Sequence, residues 1–134
     1  MTVKELSQLY WLNKEIEADK KRLDELEQLA GNASIAHITG MPRAPHDGSS
    51  KVERLAAEIV DLQAIIAARQ IQCIHERARL ERYINDIEDS LTRQIFQYRF
   101  AECMSWAQVA ESIGGNNTQG SVKMICYRYL KTAG

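Results

Sequence analysis

The chain has 134 residues, of which 45% are apolar and 26% charged, and its formal net charge is -1. This length fits one domain, or one small domain with an extension, and the near-neutral charge excludes a general attraction to nucleic acid. No apolar run approaches the roughly 20 residues that a membrane-spanning helix needs, and no signal peptide precedes the first predicted helix. We therefore expect a cytoplasmic protein with no membrane partner.

The charges are unevenly placed along the chain. Residues 1–90 contain 12 Lys or Arg and 16 Asp or Glu, whereas residues 91–134 contain five basic and two acidic residues. The first part therefore carries a charge of -4 and the C-terminal third a charge of +3. Such an asymmetry is typical of a DNA-binding module on an acidic support.

The sequence shows no pattern of metal ligands, disulfides or catalytic groups. Cys73, Cys103 and Cys126 are odd in number and far apart, so we expect buried free thiols. His37 and His46 have no partner at metal-ligand spacing. We find no paired carboxylates in a turn, no nucleophile elbow and no phosphate loop, so we expect no enzyme activity, metal, cofactor or small-molecule ligand.

The first predicted helix runs from about Glu5 to Ala30, because this stretch lacks Gly and Pro and is rich in Leu, Glu and Lys. Its apolar residues step by three and four, which is the seam of a coiled coil, and Asp19 breaks that seam. Gly31-Asn32 should end the helix, and residues 31–50 should form a flexible loop. The apolar seam positions are Leu9, Leu12, Ile16, Leu23 and Leu26.

A second and longer helix is predicted from about Lys51 to Asp86. Its seam includes Leu55, Ile59, Leu62, Ile66 and Leu80, with Arg69 and Glu76 as the polar exceptions. At about 1.5 Å per residue, the first helix can fold back antiparallel over only two-thirds of the second. An apolar stripe then remains near residues 71–84, and we expect the C-terminal module, a second copy of the chain, or both to cover it. Residues 1–87 are thus predicted to form a coiled-coil helical hairpin, and the chain to form a homodimer.

Residues 88–134 are predicted to form a small three-helix module. Its first helix should run from Leu91 to about Ala101. Ser105 and Gln108 have the spacing of a capping box that starts the next helix. Gly114 to Asn117 should form a turn, and Thr118 should cap the last helix. Two sets of residues should form the buried faces of the last two helices: Trp106, Val109, Ala110 and Ile113 in one, Val122, Ile125, Cys126 and Tyr129 in the other.

This pattern favours a helix-turn-helix, in which the second helix enters the major groove of DNA. Short polar side chains near its start can reach base edges, and basic side chains can reach phosphates. Base reading is assigned to Gln119, Ser121 and Lys123, and phosphate contact to Thr118, Arg128, Lys131 and Arg99. The same pattern also fits an ordinary helical hairpin that does not touch DNA.

The C-terminal segments resemble region 4 of sigma-70-type sigma factors and the related phage late-transcription regulators. The order of motifs along nearly the whole chain resembles a family encoded in phages and prophages of Gram-positive bacteria. This resemblance implies an all-α fold with a helical stalk, a DNA-binding role in transcription, and a location in the cytoplasm of the host bacterial cell. Residues 91–100, 105–110 and 118–130 carry the resemblance to sigma region 4, and residues 6–10, 52–55, 59–62, 98–100, 105–106 and 129–130 carry the resemblance to the phage family.

The chain departs from the sigma pattern at the start of the last helix. That position is strongly basic in sigma factors, whereas here it holds Gln119, Gly120, Ser121 and Lys123, and the preceding turn is about two residues longer. Few phosphate contacts imply weak electrostatic affinity, so a dimer or a polymerase partner should be needed. An alternative function stays open: a protein-interaction module that binds RNA polymerase, a sigma factor or another protein without reading DNA.

Overall fold

A computed structural model describes the backbone of residues 1–38 and 47–133 and the side chains of residues 1–33 and 50–133. The described residues contain helices and no strand, so the predicted all-α class is confirmed. The helices are α1 (Val3–Leu6), α2 (Gln8–Ile38), α3 (Asp47–Asn85), α4 (Ser90–Phe96), α5 (Trp106–Ile113) and α6 (Gln119–Ala133), with a π-helical segment at Gln97–Ala101 between α4 and α5.

The start and end of the first predicted helix differ from the sequence-based expectation. Thr2 caps the short helix α1 through a capping box with Glu5, and α2 begins only after Ser7. The predicted end at Gly31-Asn32 is wrong, because α2 continues through both residues. A glycine inside a helix costs only about 1 kcal/mol relative to alanine, which the good helix formers before it can offset.

The predicted flexible loop, residues 31–50, lies partly outside the residues whose backbone the structure describes. Residues 39–46 lie outside the described residues, and α3 begins at Asp47. The side chains of His37 and His46 also lie outside the described residues. The third histidine, His75, is exposed on α3.

Contacts divide the chain into two compact units, Lys14–Ile71 and a second unit formed by Met1–Asn13 with Gln72–Gly134. The predicted boundary after residue 87 stays a prediction. In the first unit, Ile16, Leu26 and Ile66 are buried. The remaining predicted seam residues of this unit, Leu23, Leu55, Ile59 and Leu62, are half-buried.

Two of the three polar positions that interrupt the predicted seams of α2 and α3 meet in an ion pair. Arg69 bonds Asp19, and its Nε lies 3.2 Å from a carboxylate oxygen of Glu15. The Asp19 side chain is 19% exposed and that of Arg69 is 32% exposed, so the pair is only partly shielded from water. The hydrogen bond from Arg69 to Asp19 raises the pKa of the guanidinium. The sequence marked both positions as defects of a seam but did not indicate that they are partners.

The second unit has a core built around Phe96, which is fully buried. The ring of Phe96 makes edge-on contacts with Phe100 and Tyr129, each at 5.3 Å between centroids, and a tilted contact with Tyr83 at 6.4 Å. The chain start, the end of α3 and the connection that follows α3 contribute five other buried residues to the same core: Leu6, Leu9, Leu80, Ile84 and Ile87. The apolar end of α3 is therefore covered in part by the last three helices, which is one of the two covers that we expected.

The three cysteines are free thiols in this unit. Cys126 is buried as predicted, whereas Cys73 and Cys103 are only half-buried. The amide of Asn13 lies between the latter two, since its Oδ1 accepts from the Cys73 thiol and its Nδ2 donates to Cys103 Sγ, both at 3.6 Å. Burial raises the pKa of both thiols, so they stay protonated near neutral pH.

Candidate nucleic-acid interface

Helix α5 starts at the capping box that the sequence predicted. The backbone N–H of Gln108 donates to Ser105 Oγ at 3.2 Å, and the backbone N–H of Ser105 donates to Gln108 Oε1 at 2.9 Å. The apolar face of α5 is turned inward, with Trp106 and Val109 buried. Both predictions are confirmed, so the position and orientation of α5 follow from local sequence.

We expect Ser105→Ala to lower the free energy of unfolding by about 1 kcal/mol, because the backbone N–H of Gln108 loses its acceptor at a helix start. Ser105→Gly should cost only a few tenths of this, since glycine is tolerated as a cap. Urea denaturation at fixed protein concentration, followed by tryptophan fluorescence, measures both. An alanine variant as stable as the original chain would contradict the capping role.

The turn after α5 depends on glycine at one position in particular. Gly114 has φ 75° and ψ -159°, a backbone conformation almost restricted to glycine, and Gly115 has φ 65°. Asn117 closes the turn, because its side-chain Nδ2 donates to the carbonyl of Gly114 at 3.1 Å. The predicted helix end at the glycine pair is confirmed.

We expect Gly114→Ala and Gly120→Ala to have opposite effects on stability. The first should destabilise the protein by about 1–3 kcal/mol, since alanine is strained at this φ and ψ. The second should stabilise it by about 0.4–1 kcal/mol, because Gly120 is helical and an added Cβ would meet only Thr118 Oγ1, at 3.9 Å. Thermal unfolding of the two variants beside the original chain tests this, and equal effects would contradict it.

The start of α6 is held by a reciprocal pair of hydroxyl residues. The backbone N–H of Ser121 donates to Thr118 Oγ1 at 3.1 Å, and that of Thr118 donates to Ser121 Oγ at 2.9 Å. The Ser121 hydroxyl in turn donates to the Thr118 carbonyl at 3.0 Å. The hydroxyl hydrogen of Ser121 is thus already used within the protein, and its oxygen keeps one lone pair that could accept a hydrogen bond from a ligand. The cap at Thr118 is confirmed, whereas the sequence analysis missed the reciprocal bond that the backbone N–H of Thr118 donates to Ser121 Oγ.

The inner face of α6 is apolar as predicted. Val122 and Cys126 are fully buried, and Ile125 and Tyr129 are half-buried. Burial raises the pKa of the Cys126 thiol to about 12, so it packs as a small neutral group. This face fixes which side of α6 is turned to solvent.

The outer face of α6 carries the predicted polar and basic residues. Gln119, Lys123, Arg128 and Lys131 are exposed. The helix contains three cations and no Asp or Glu, and none of the three has an ion pair among the side chains that the structure describes. Two apolar side chains share this face: Met124 is 53% exposed and Tyr127 44%. They line a shallow depression of about 410 Å³ together with the three cations and Gly120.

Arg99 does not belong to this exposed set. It is half-buried, its guanidinium lies 4.5 Å from the centre of the Trp106 ring, and its Nη1 donates to the Met104 carbonyl at 2.9 Å. The Trp106 ring in turn lies 6.2 Å from the Tyr127 ring, with an angle of 57° between the ring planes, so Trp106 lies between Arg99 and the outer face of α6. The predicted phosphate contact of Arg99 stays a prediction, and its guanidinium is held by contacts within the protein.

A second concave site lies in the same unit, between the chain start and the segment around α5. It has a volume of about 450 Å³, and its walls include Tyr10, Trp11, Arg99 and Met104. Trp11 is 58% exposed, and its ring meets that of Tyr10 edge-on at 5.0 Å. The sequence pattern gave no indication of this pocket, because its walls come from residues nearly 100 positions apart.

Comparison with protein-family models, curated proteins and solved structures finds no match to this chain. Within the described residues, no helix is both long and apolar enough to span a bilayer. The same residues contain no cluster of His, Cys, Asp or Glu that could bind a metal ion.

Proposed function

We propose that this protein is a phage-type transcriptional regulator that binds DNA through a C-terminal helix-turn-helix formed by α5 and α6. The observation that carries the proposal is the outer face of α6, where three cations without acidic partners stand beside an exposed amide at the helix start. A helix presented in this way suits the major groove, where amides and amines reach base edges and cations reach phosphates.

The positions along α6 suit different parts of the DNA. Gln119 and Lys123 lie in the first turns, from which side chains reach base edges in known helix-turn-helix proteins. Lys123, Tyr127 and Lys131 repeat every four residues and therefore follow one line along the helix, with Arg128 beside it. We assign Arg128 and Lys131 to phosphates, Gln119 and Lys123 to bases, and an accessory contact to Ser121 and Thr118, whose hydroxyls also cap the helix.

The proposal includes a role for the two long helices, α2 and α3. We infer that α2 and α3 form an antiparallel coiled-coil hairpin, supported by the pairing of Arg69 with Asp19 and Glu15, and that the chain acts as a homodimer in the cytoplasm of a host bacterial cell. Because each module offers only three cations on α6, two modules or a polymerase or sigma-factor partner supply the affinity that one module lacks. The role requires no catalytic step, cofactor or small molecule.

Selection of binding sites from random duplexes tests the division of roles. Gln119→Ala and Lys123→Ala should each change the preferred base at one position, at a cost of about 1–3 kcal/mol for the preferred sequence. Arg128→Ala is the control, since losing a phosphate contact should weaken binding to all sequences alike. If neither Gln119→Ala nor Lys123→Ala alters the selected sequence, the assignment is wrong.

A second candidate function, a protein-interaction module, is favoured by the pocket beside Trp11. Exposed Trp is typical of the residues that anchor protein interfaces, and Met124 and Tyr127 add apolar surface to α6. On this alternative, Trp11→Ala should abolish capture of purified RNA polymerase or sigma factor, while Lys123→Glu with Arg128→Glu leaves capture intact. Loss of capture only in the charge-reversed chain would contradict it.

A further inference from the structure

Helix α3 carries a second apolar stripe that is separate from its coiled-coil seam. In the unit Lys14–Ile71, the seam side of α3 is half-buried or buried at Leu55, Ile59, Leu62 and Ile66. At about 100° per residue, the centre of another set of residues lies about 150° around the helix axis from the centre of the seam. This outer stripe consists of Ala57, Val60, Ala64, Ala67 and Ile71, all exposed.

The outer stripe has the three-four stepping of a coiled-coil seam over two heptads. Its two large members are strongly exposed, Val60 at 62% and Ile71 at 55%. A helix that is apolar on two sides is normally buried on both. The α2 seam accounts for one side of α3 only, so the outer stripe is an interaction surface.

The flanks of the outer stripe are almost free of charge. Ala56, Gln63 and Gln70 border it on one side, and Asp61 and Ala68 on the other. The one cation between Asp61 and Ile71 is Arg69, which is bound to Asp19 and Glu15. Depletion of charge is typical of the centre of a protein interface, and it removes the like-charge repulsion that identical surfaces would otherwise meet.

The order of sizes along the outer stripe indicates what covers it. The side chains of four stripe residues are large, small, small and large in chain order: Val60, Ala64, Ala67 and Ile71. This order is the same in either direction along the helix. An antiparallel second copy therefore meets it in register, with Val60 against Ile71 of the second copy and Ala64 against its Ala67. A two-fold interface uses one self-complementary patch on both chains, which this pattern provides.

We propose that the outer stripe of α3 is the homodimer interface, and that two chains pair antiparallel through it about a two-fold axis between Ala64 and Ala67. The inference deepens the dimer of the proposed function by locating its contact surface. In this register Asp61 lies opposite Ala68 of the second copy. Lysine at position 68 would therefore be attracted, whereas lysine at position 64 or 67 would be driven into an apolar layer.

Light scattering of the purified full chain, without DNA, tests the proposal with three matched variants, Ala64→Lys, Ala67→Lys and Ala68→Lys. All three positions are exposed helical alanines, and lysine is a good helix former, so each variant should keep the helical circular dichroism of the original chain. The original chain and Ala68→Lys should have twice the chain mass of 15.2 kDa. The other two should have the mass of one chain. A monomeric original chain, or three variants that behave alike, would overturn the proposal.

Oxidative cross-linking tests the orientation. A mixture of an Ala64→Cys chain and an Ala67→Cys chain should form covalent dimers beyond the level of the original chain, which controls for its own three cysteines. Each cysteine variant alone should cross-link less. If each alone cross-links as well as the mixture, the antiparallel register is wrong. Because no DNA is present, failure here leaves the DNA-binding proposal intact, and failure of DNA binding leaves the interface intact.

Discussion

Replacing Lys123 and Arg128 together by glutamate should weaken DNA binding by roughly a hundredfold or more. Lys123→Glu removes a base contact worth about 1–3 kcal/mol. Arg128→Glu removes a phosphate contact and places a negative charge beside the DNA backbone. Both side chains are exposed and lack ion pairs within the described residues, so the fold should not change. Fluorescence anisotropy with a labelled duplex measures the loss.

The matched control is Lys20→Glu with Lys21→Glu. These two lysines are exposed on α2 and change the net charge by the same amount. If the effect on DNA binding depended only on overall charge, both double variants would lose affinity equally. Equal losses would therefore contradict the assignment of α6 as the reading helix, whereas loss confined to the α6 variant supports it.

Phe96→Ala should lower the free energy of unfolding by about 3–5 kcal/mol, the largest stability effect that we expect of a single core substitution. The ring is fully buried and makes edge-on contacts with two neighbouring rings, those of Phe100 and Tyr129. Its removal leaves a cavity between α4, the π-helical segment and α6. Because the outer face of α6 depends on this packing, the variant should also lose DNA binding at temperatures where it unfolds.

Urea denaturation followed by tryptophan fluorescence measures this loss, since both tryptophans, Trp11 and Trp106, lie in the same compact unit as Phe96. Phe96→Leu is the control and should cost less than half as much, because leucine keeps most of the apolar volume. Protein concentration must be equal in all samples, since dimerisation adds to apparent stability. A loss below about 1 kcal/mol for Phe96→Ala would contradict the central place of this ring in the core.

The sequence predicted those features of the fold that depend on a few neighbouring residues. The capping box at Ser105 was predicted in position and in bonding partners, and the turn at Gly114 was predicted in position, because both are local backbone chemistry. The burial of one face of α5 and one face of α6 followed from the 3.6-residue period. These features suffice to place the outer face of α6 in solvent.

Features that depend on distant partners could not be predicted in the same way. The hydrogen bond from Arg99 to the Met104 carbonyl and the contact of its guanidinium with the Trp106 ring depend on the folded arrangement, so neither was predicted from the sequence. The π-helical segment Gln97–Ala101 lacks a distinctive sequence signal, and the continuation of α2 through Gly31 reflects cooperative helix formation around a weak residue. The bond between Ser121 and Thr118 could have been found, because their three-residue spacing is that of a capping pair.

The most direct test of the central claim is an anisotropy titration of the original chain against duplexes from the DNA that flanks its own gene, repeated across salt concentrations. The two cations of α6 assigned to phosphates, Arg128 and Lys131, predict saturable binding whose log affinity falls with log salt at a slope of about -2 for one module and about -4 for two. Binding that does not saturate at the lowest salt, or that is insensitive to salt, would contradict the claim that α6 contacts DNA.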